Sequence, residues 1–282
     1  MRALLSVWDK TGLEAFARGL ETLGWDLVSS GGTSRFLADH GIAHTEVAEV
    51  TGAPEMLGGR VKTLHPAIAG GILADRDEPG HLADLAAHGI APIDLVACNL
   101  YPFRSSPGIE MIDIGGPTMV RAAAKNHAHV AVLVDPSDYG PVLDELRREG
   151  EIGAATRRRL ARAAFAHTAA YDAAIVGWFD DGEGEELPPT LHLALERTAE
   201  TLRYGENPHQ RAARYRDIGG ASWWDGVVQR SGLALSYLNL YDTEAAWRLV
   251  HDLGPGPACA IIKHANPCGA AIADDLVTAY KN

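Results

Sequence analysis

Short apolar runs and helical patterns alternate along residues 1–150 of the chain. Apolar runs of strand length lie at Ala3–Val7, Asp26–Ser30, Asp94–Leu100 and Val130–Val134. Helix-like spacing of apolar residues is found at Leu13–Leu23, Thr33–Asp39, Gly116–Asn126 and Ser137–Glu149. This alternation predicts an α/β fold with a mainly parallel sheet and helices on both faces. A ligand of such a sheet binds outside the carboxyl ends of the strands, where the segments SVWDKTG, SSGGTS, NLYPF and DIGG fall.

The pattern changes after a long helical stretch at Ala154–Phe179. The acidic segment DDGEGEELPP at 180–189 contains glycines and ends in a proline pair, which is typical of a linker. We therefore expect a first domain over 1–180, a linker over 181–190 and a further segment over 191–282. That further segment reads as rich in loops, with Asn266 and Pro267 expected to form a turn.

Charge and cysteine content narrow the class of protein. The formal net charge of −12 argues against a nucleic-acid or membrane-surface partner, although a local group of lysines can still bind a small anion. The three cysteines are scattered and form no CxxC pair, so neither a disulfide framework nor a metal site is expected. The N-terminus does not fit a signal peptide and no apolar run is long enough to span a membrane, so we expect a cytoplasmic protein.

Two segments have the features of a phosphate-binding site. SSGGTS at 29–34 follows a strand and precedes a helix, so its glycines let backbone N–H groups approach a phosphate, and Ser30 and Thr33 add hydroxyl donors. RVKTLHP at 60–66 places Arg60 and Lys62 on one side of an extended segment. Each segment also has a simpler interpretation, a capped turn in the first case and an exposed strand in the second. His65 precedes a proline and is interpreted as a turn residue.

The segment DIGGPTMVRAAAKNH at 113–127 combines an acid, free backbone N–H groups at a helix start and a lysine. Such a combination suits a small anionic substrate that needs proton transfer. Lys125 can equally be a solvated helix lysine, and Tyr101 in NLYPF can be a core tyrosine. Cys98 is interpreted as a small buried apolar residue.

The segment KHANPCG at 263–269 follows the apolar run Cys259–Ile262. A Lys-His pair alone is a weak signal. Together with RYGENPH at 203–209, Lys263 and His264 indicate a second group of functional side chains.

Eight segments in this order resemble the bifunctional AICAR transformylase/IMP cyclohydrolase family of purine biosynthesis. They are SVWDKTG, SGGT, RVKTLHP, CNLYPF, DIGGPTMVRAAAKNH, LRYGENPHQ, LSYLNLYD and IIKHANPCG. The resemblance runs over essentially the whole chain. It implies a methylglyoxal-synthase-like α/β fold for the N-terminal domain, which closes the purine ring.

The resemblance also implies roles for single residues. It places the nucleotide-binding positions on Trp8, Asp9, Lys10, Ser30, Gly31, Gly32, Thr33, Arg60, Val61, Lys62, Thr63, Cys98, Asn99, Asp113, Ile114 and Gly115. It places the catalytic lysine on Lys125, with Lys62, Tyr101 and Asp113 beside it. For the transformylase part it places substrate binding on Arg203 and Tyr204 and the catalytic pair on Lys263 and His264. Asn239 lies in a matching motif of unclear role.

Two departures from the family pattern matter. Trp8 stands where the family pattern has a small hydroxyl residue. Family members also continue for about as long again beyond Asn282, so the resemblance implies that 191–282 is the first part of an incomplete α/β transformylase domain. We expect such a chain to close the ring without transferring the formyl group.

The resemblance further implies the reaction and the partners. Formamido-imidazole-carboxamide ribotide would close to inosine monophosphate with loss of water, without a cofactor. In that reaction Lys125 would transfer the proton, Asp113 would orient the carboxamide, and Tyr101 would help to stabilise the oxyanion. Purine-pathway ribotides are the expected partners, 10-formyltetrahydrofolate is the expected co-substrate of the full-length transformylase, and a homodimer is expected. The alternatives are a methylglyoxal-synthase-like lyase and a non-catalytic nucleotide-sensing domain.

Overall fold

A computed structural model describes residues 1–183 and 187–282. Their contacts divide the chain into two compact units, Met1–Leu193 and Ala194–Asn282. Each unit is described separately below.

The first unit is built on a five-stranded sheet whose paired strands all run parallel. Its strands are β1 (Arg2–Leu5), β2 (Asp26–Ser29), β3 (Thr45–Glu46), β4 (Leu95–Ala97) and β5 (Ala131–Leu133). Their order across the sheet is β3-β2-β1-β4-β5. The carboxyl ends of all five strands therefore lie at one edge of the sheet. The predicted α/β fold with a parallel sheet is confirmed.

Helices cover both faces of this sheet. They are α1 (Leu13–Thr22), α2 (Gly31–Asp39), α3 (Val47–Thr51), α4 (Pro66–Leu73), α5 (Pro79–Ala87), α6 (Gly115–Lys125), α7 (Tyr139–Glu149) and α8 (Ala154–Glu183). Successive strand residues point to opposite faces, so Leu5 joins an apolar cluster with Phe16 of α1, whereas Leu4 joins a second cluster with Val120 of α6. Burial on both faces explains why the strands read as continuous apolar runs.

The stretch between β2 and β4 contains elements that the apolar pattern did not predict. β3, α3, α4 and α5 are short, and α4 (PAIAGGIL) has no polar side chain that would mark a solvent face. The predicted extended segment at RVKTLHP is only partly extended, because Val61 makes a single bridge to Met56. His65 is a turn residue, as predicted, since it precedes α4 in an extended conformation and its Nδ1 accepts the N–H of Ala67 at 3.1 Å.

The end of the first unit differs from the expected linker. α8 continues to Glu183, so the start of the predicted 181–190 linker is helical. Residues 184–186 of that linker lie outside the described residues. The contact division falls after Leu193, and the predicted domain limits stay a prediction. Of the helices that the structure describes, none is both long and apolar enough to cross a membrane.

The second unit contains two antiparallel strand pairs and two helices. They are β6 (Leu195–Thr201), β7 (Ala213–Asp217), α9 (Tyr237–Asp252), β8 (Ala258–Lys263), β9 (Asn266–Ile272) and α10 (Leu276–Lys281). The loop-rich interpretation was wrong for α9, whose start is capped by reciprocal hydrogen bonds between Ser236 and Asn239. The prediction of a turn at Asn266 and Pro267 was also wrong, because Asn266 begins β9 and pairs with Lys263 across the β8–β9 hairpin.

Candidate active site

A cavity of about 620 Å³ opens at the carboxyl edge of the sheet in the first unit. Loops after β1, β2 and β4, together with the 60–63 segment, supply its walls. The predicted site residues that line it are Trp8, Lys10, Ser30, Gly31, Gly32, Thr33, Arg60, Lys62, Thr63, Asn99, Tyr101, Asp113, Ile114 and Gly115. The structure thus brings most of the predicted residues of this unit to one place.

The amino end of α2 presents backbone donors at this cavity. Ser30 precedes the helix in an extended conformation, and its side chain makes no cap hydrogen bond. The first helical hydrogen bond runs from the N–H of Ser34 to the carbonyl of Ser30 at 3.3 Å, so the preceding N–H groups have no helical acceptor. Such unpaired N–H groups, aligned with the helix dipole, form a site for an anion.

Gly31 allows a lysine to approach that helix end. Its φ is +56°, and a Cβ at this position would lie 2.8 Å from Nζ of Lys62. Lys62 also forms an ion pair with Glu55 at 2.8 Å. The ammonium group is therefore held beside the α2 donors by a carboxylate that an anionic ligand would have to displace.

Two predicted contact residues use their polar groups to hold a loop. The hydroxyl of Thr33 donates to the carbonyl of Val7 at 2.9 Å and accepts its N–H at 3.0 Å. The Asn99 carboxamide accepts the N–H of Trp8 at 2.6 Å and donates to the carbonyl of Asp9 at 3.1 Å. The hydroxyl of Thr33 was expected to donate to a phosphate, but here its hydrogen is already bonded to Val7. Thr33 and Asn99 therefore fix the segment after β1.

Three other cations lie at the cavity. Arg60 forms an ion pair with Glu110, and the amine of Lys10 donates to the backbone carbonyls of Val7 and Trp8. Burial lowers the pKa of Lys10. Arg35 lines the cavity but was missed from the sequence, although its place two residues after SGGT in the first turns of α2 is a usable signal.

Asp113 is the acidic group of the cavity, and its surroundings are specific. Its carboxylate accepts the N–H of Gly116 at 2.8 Å, and the backbone N–H of Tyr101 also reaches it. Burial raises the pKa of Asp113, and these two hydrogen bonds only partly oppose that effect. The Asp113 backbone N–H donates to the hydroxyl of Tyr171 at 2.8 Å, so α8 holds this loop in place.

The glycines before α6 are needed because side chains pack against them. A Cβ on Gly115 would lie 2.9 Å from Oγ1 of Thr63. A Cβ on Gly116 would lie 2.7 Å from Cδ2 of Leu100 and would also overlap the Asp113 carboxylate. The two glycines of DIGG therefore let α6 start close to both Thr63 and the Asp113 carboxylate.

The structure does not bring four predicted residues to the cavity wall, namely Asp9, Val61, Cys98 and Lys125. Asp9 accepts the N–H of Thr11 at 2.8 Å, and Cys98 is buried, with its pKa raised by desolvation. Cys98 is thus the small buried residue that its apolar strand predicted.

Lys125 is exposed in the last turn of α6, whereas the cavity lies at the first turn. Lys125 is ten positions after Gly115, which is about 15 Å along the axis. Lys125 is not among the residues that line the cavity, and its predicted catalytic role stays a prediction.

The second unit holds the remaining predicted residues. The guanidinium of Arg203 lies 5.1 Å from the ring centre of Tyr204. His264 and Ala265 form the tip of the β8–β9 hairpin with φ values of +54° and +58°. The N–H of Ala265 donates to Asp242 of α9 at 2.8 Å, which holds this strained tip.

One group outside the cavity has possible metal ligands. Single ligand atoms of Asp75, Asp77 and His129 lie within 4.8 Å of one another. Both carboxylates are largely exposed, and exposed acidic groups often cluster without an ion. The expectation that the reaction needs no metal stays a prediction.

Comparisons with known proteins match both parts of the chain. The sequence model of the MGS-like domain matches residues 12–125, and that of the AICARFT/IMPCHase bienzyme matches residues 123–282. The chain is also similar to the crystal structure of ForH, with 41% sequence identity and a TM-score of 0.59. That similarity covers 64% of this chain and 98% of the ForH chain.

Proposed function

We propose that this chain, which belongs to the AICARFT/IMPCHase bienzyme family of purine biosynthesis, closes the ring of formamido-imidazole-carboxamide ribotide to inosine monophosphate. The observation that carries the proposal is the pairing of two subsites in one cavity. An anion site at the start of α2 and a half-buried carboxyl just before α6 face the same space. A ribotide presents a phosphate at one end and a reacting heterocycle at the other.

The phosphate subsite consists of the α2 N–H groups, the free hydroxyl of Ser30 and the amine of Lys62. Charge-assisted hydrogen bonds from an ammonium group and from helix N–H groups suit a phosphate. In binding, the phosphate replaces the Glu55 carboxylate as the partner of Lys62. Arg35 adds positive charge to the same wall.

Ring closure needs proton transfers at the other end. The carboxamide nitrogen attacks the formyl carbon, a C–N bond forms, and the formyl oxygen becomes a hydroxyl group. The proton that the attacking nitrogen loses in this step is passed to the formyl oxygen. In the second step the C–O bond breaks, the hydroxyl gains a proton and leaves as water, and the former formamide nitrogen loses its own proton as the C=N bond forms. A carboxyl with a raised pKa suits both transfers, because in each step it can accept a proton from a nitrogen and deliver one to the oxygen.

We assign this proton transfer to Asp113 in place of Lys125. Asp113 lines the cavity, is half-buried and has a raised pKa, whereas Lys125 lies at the far end of α6. Gly115 and Tyr101 also line the cavity, and the N–H of Gly115 and the hydroxyl of Tyr101 would stabilise charge on the formyl oxygen. Holding the two reacting groups together contributes further, since orientation alone can lower a barrier by ~7–11 kcal/mol.

The test is to mix the chain with the formamido ribotide and follow the absorbance of inosine monophosphate. Formation of the product at a rate proportional to protein concentration is the expected result. Release of methylglyoxal from dihydroxyacetone phosphate would instead favour a lyase. Tight binding of inosine monophosphate without any turnover would favour a nucleotide-sensing domain.

The second unit supports a separate proposal, that its residues belong to the formyl-transfer half of the bienzyme. Lys263 and His264 stand at a strained hairpin tip, and backbone strain of this kind is often found at functional sites. In that reaction His264 would take a proton from the amine of AICAR, and 10-formyltetrahydrofolate would supply the formyl group. Assay of both reactions on one preparation tests the two proposals independently.

A further inference from the structure

Two large aromatic side chains stand at the rim of the cavity without being buried. Trp8 is 51% exposed and Tyr101 is 40% exposed. Their ring centres are 5.2 Å apart, and the ring planes meet at 63°. The rings thus form an open corner in which each presents surface to the cavity, and each residue lines it.

The backbone on both sides of this corner is held firmly. Asn99 binds the backbone of Trp8 and Asp9, and Thr33 binds both backbone groups of Val7. Tyr101 directs its own N–H to the Asp113 carboxylate. The backbone that carries the aromatic corner is therefore fixed, which reduces the entropy lost when a ring binds against it.

The strand order places the corner between the two subsites. The α2 donors follow β2, Trp8 follows β1, and Tyr101 follows β4, and these strands are adjacent in the order β2-β1-β4. Adjacent strands are about 4.8 Å apart, so the phosphate subsite and the Tyr101 side are about 10 Å apart. The Trp8 ring is therefore part of the wall of the cavity that a ligand joining the phosphate subsite to Asp113 would occupy.

We infer that Trp8 is a specificity-determining residue that selects phosphate ligands carrying a planar heterocycle, which it contacts together with Tyr101. This inference rests on the proposed function, because it assumes that a ribotide occupies the cavity. A planar ring gains stacking and edge contacts in the corner, whereas a sugar phosphate without a base leaves the corner empty. The Trp8 ring makes no hydrogen bond in the described structure, so both its aromatic surface and its N–H are available to a ligand, and a phenyl ring in its place would keep only the aromatic surface.

The test compares two ligands on the full chain by calorimetry. Inosine monophosphate carries the phosphate, the ribose and a planar base, and ribose 5-phosphate lacks only the base. Trp8→Ser is expected to weaken inosine monophosphate binding by ~5- to 100-fold, the range for loss of one aromatic–base contact. Ribose 5-phosphate binding is expected to be unchanged, and Trp8→Phe is expected to restore most of the affinity for inosine monophosphate.

The other possible results separate the role of Trp8 from the ring-closure proposal. Unchanged inosine monophosphate binding by Trp8→Ser would overturn the role of Trp8, and so would an equal loss for both ligands, which would mean that Trp8 supports the phosphate subsite. If the wild-type chain binds neither ligand, both proposals fail. If it shows Trp8-dependent selectivity but closes no ring, the ring-closure proposal fails and the role of Trp8 stands.

Discussion

At the scale of single residues, Asp113 combines a predicted catalytic role with a cost in stability. Because burial raises the pKa of Asp113, the folded chain binds this proton more tightly than the unfolded chain does. The contribution of Asp113 to stability is therefore greatest below its unfolded pKa and is lost as the pH rises through the raised folded pKa. At a pH above both pKa values, burial of this carboxylate therefore lowers the stability of the folded chain.

Asp113→Asn is therefore expected to separate activity from stability. Ring closure should fall by ~10²-fold or more, the usual effect of losing an acid–base group. The free energy of unfolding at pH 7 should equal or exceed that of the wild type, and the difference should shrink as the pH falls. Urea titrations at several pH values measure this, with Asp144→Asn on the exposed face of α7 as a control that should change neither property. A clear loss of stability in Asp113→Asn at pH 7 would contradict the assigned burial effect.

Lys62 and Lys125 form a second residue-level test. The sequence predicts a functional role for both, but of the two only Lys62 lines the cavity. Lys62→Ala should weaken binding of inosine monophosphate far more than binding of inosine, since only the nucleotide carries the phosphate. Lys125→Ala should retain both binding and ring closure, because its amine is exposed at the far end of α6. Loss of turnover in Lys125→Ala, with nucleotide binding intact, would return the catalytic role to that lysine.

The sequence motifs identified the residues around the cavity better than they identified what each side chain does. Ser30 and Asp113 lie at the cavity, as their predicted positions at the carboxyl edge of the sheet indicated, and Lys62 of the predicted extended segment lies there too. The loop-holding roles of Thr33 and Asn99 depend on partners far along the chain, which a local motif does not specify. The position of Lys125, about 15 Å along α6 from Gly115, follows from the rise of the helix, so counting residues along DIGGPTMVRAAAK predicts it.

At the scale of elements, the packing at the start of α6 leaves no room for a side chain at Gly116. Gly116→Ala would force a methyl group against Leu100 and the Asp113 carboxylate, and overpacking of this kind costs ~1–3 kcal/mol. Gly140→Ala in α7 is the matched control, because nothing lies within 4 Å of its Cβ position. Gly140 precedes a proline, as Gly116 does, so both variants share any cost of a side chain before proline, and the control should lose clearly less stability than Gly116→Ala. Thermal unfolding of both variants gives the comparison, and equal behaviour of the two would contradict the close packing at Gly116.

The elements that the sequence predicted well are those with a strong periodic pattern. Helices α1, α6 and α7 begin and end within two residues of the predicted limits, because each has one apolar face against the sheet. α4 lacks such a pattern, since it is apolar on all sides. α9 was missed because its aromatic and polar residues resembled a functional loop, and only the Ser236–Asn239 cap marks its start.

At the scale of the whole molecule, the apolar core belongs to the first unit. Both large clusters of buried side chains lie between Ala3 and Tyr171, whereas Leu202, Ser236 and Ala279 are the buried side chains described in the second unit. The second unit by itself therefore buries little core. A fragment covering residues 1–193 should therefore unfold cooperatively and bind inosine monophosphate as the full chain does. A fragment that lacks a cooperative transition would show that the first unit needs the second to fold.

A crystal structure of the chain with inosine monophosphate tests directly whether one cavity binds the phosphate at α2 and the base near Asp113. We expect the phosphate at the start of α2, within hydrogen-bond distance of Lys62 and of the N–H groups of Gly32 and Thr33. We expect the base beside Trp8 and Tyr101, with its pyrimidine ring directed to Asp113. A nucleotide bound outside this cavity, or bound with its phosphate at Asp113 and its base at α2, would contradict the account.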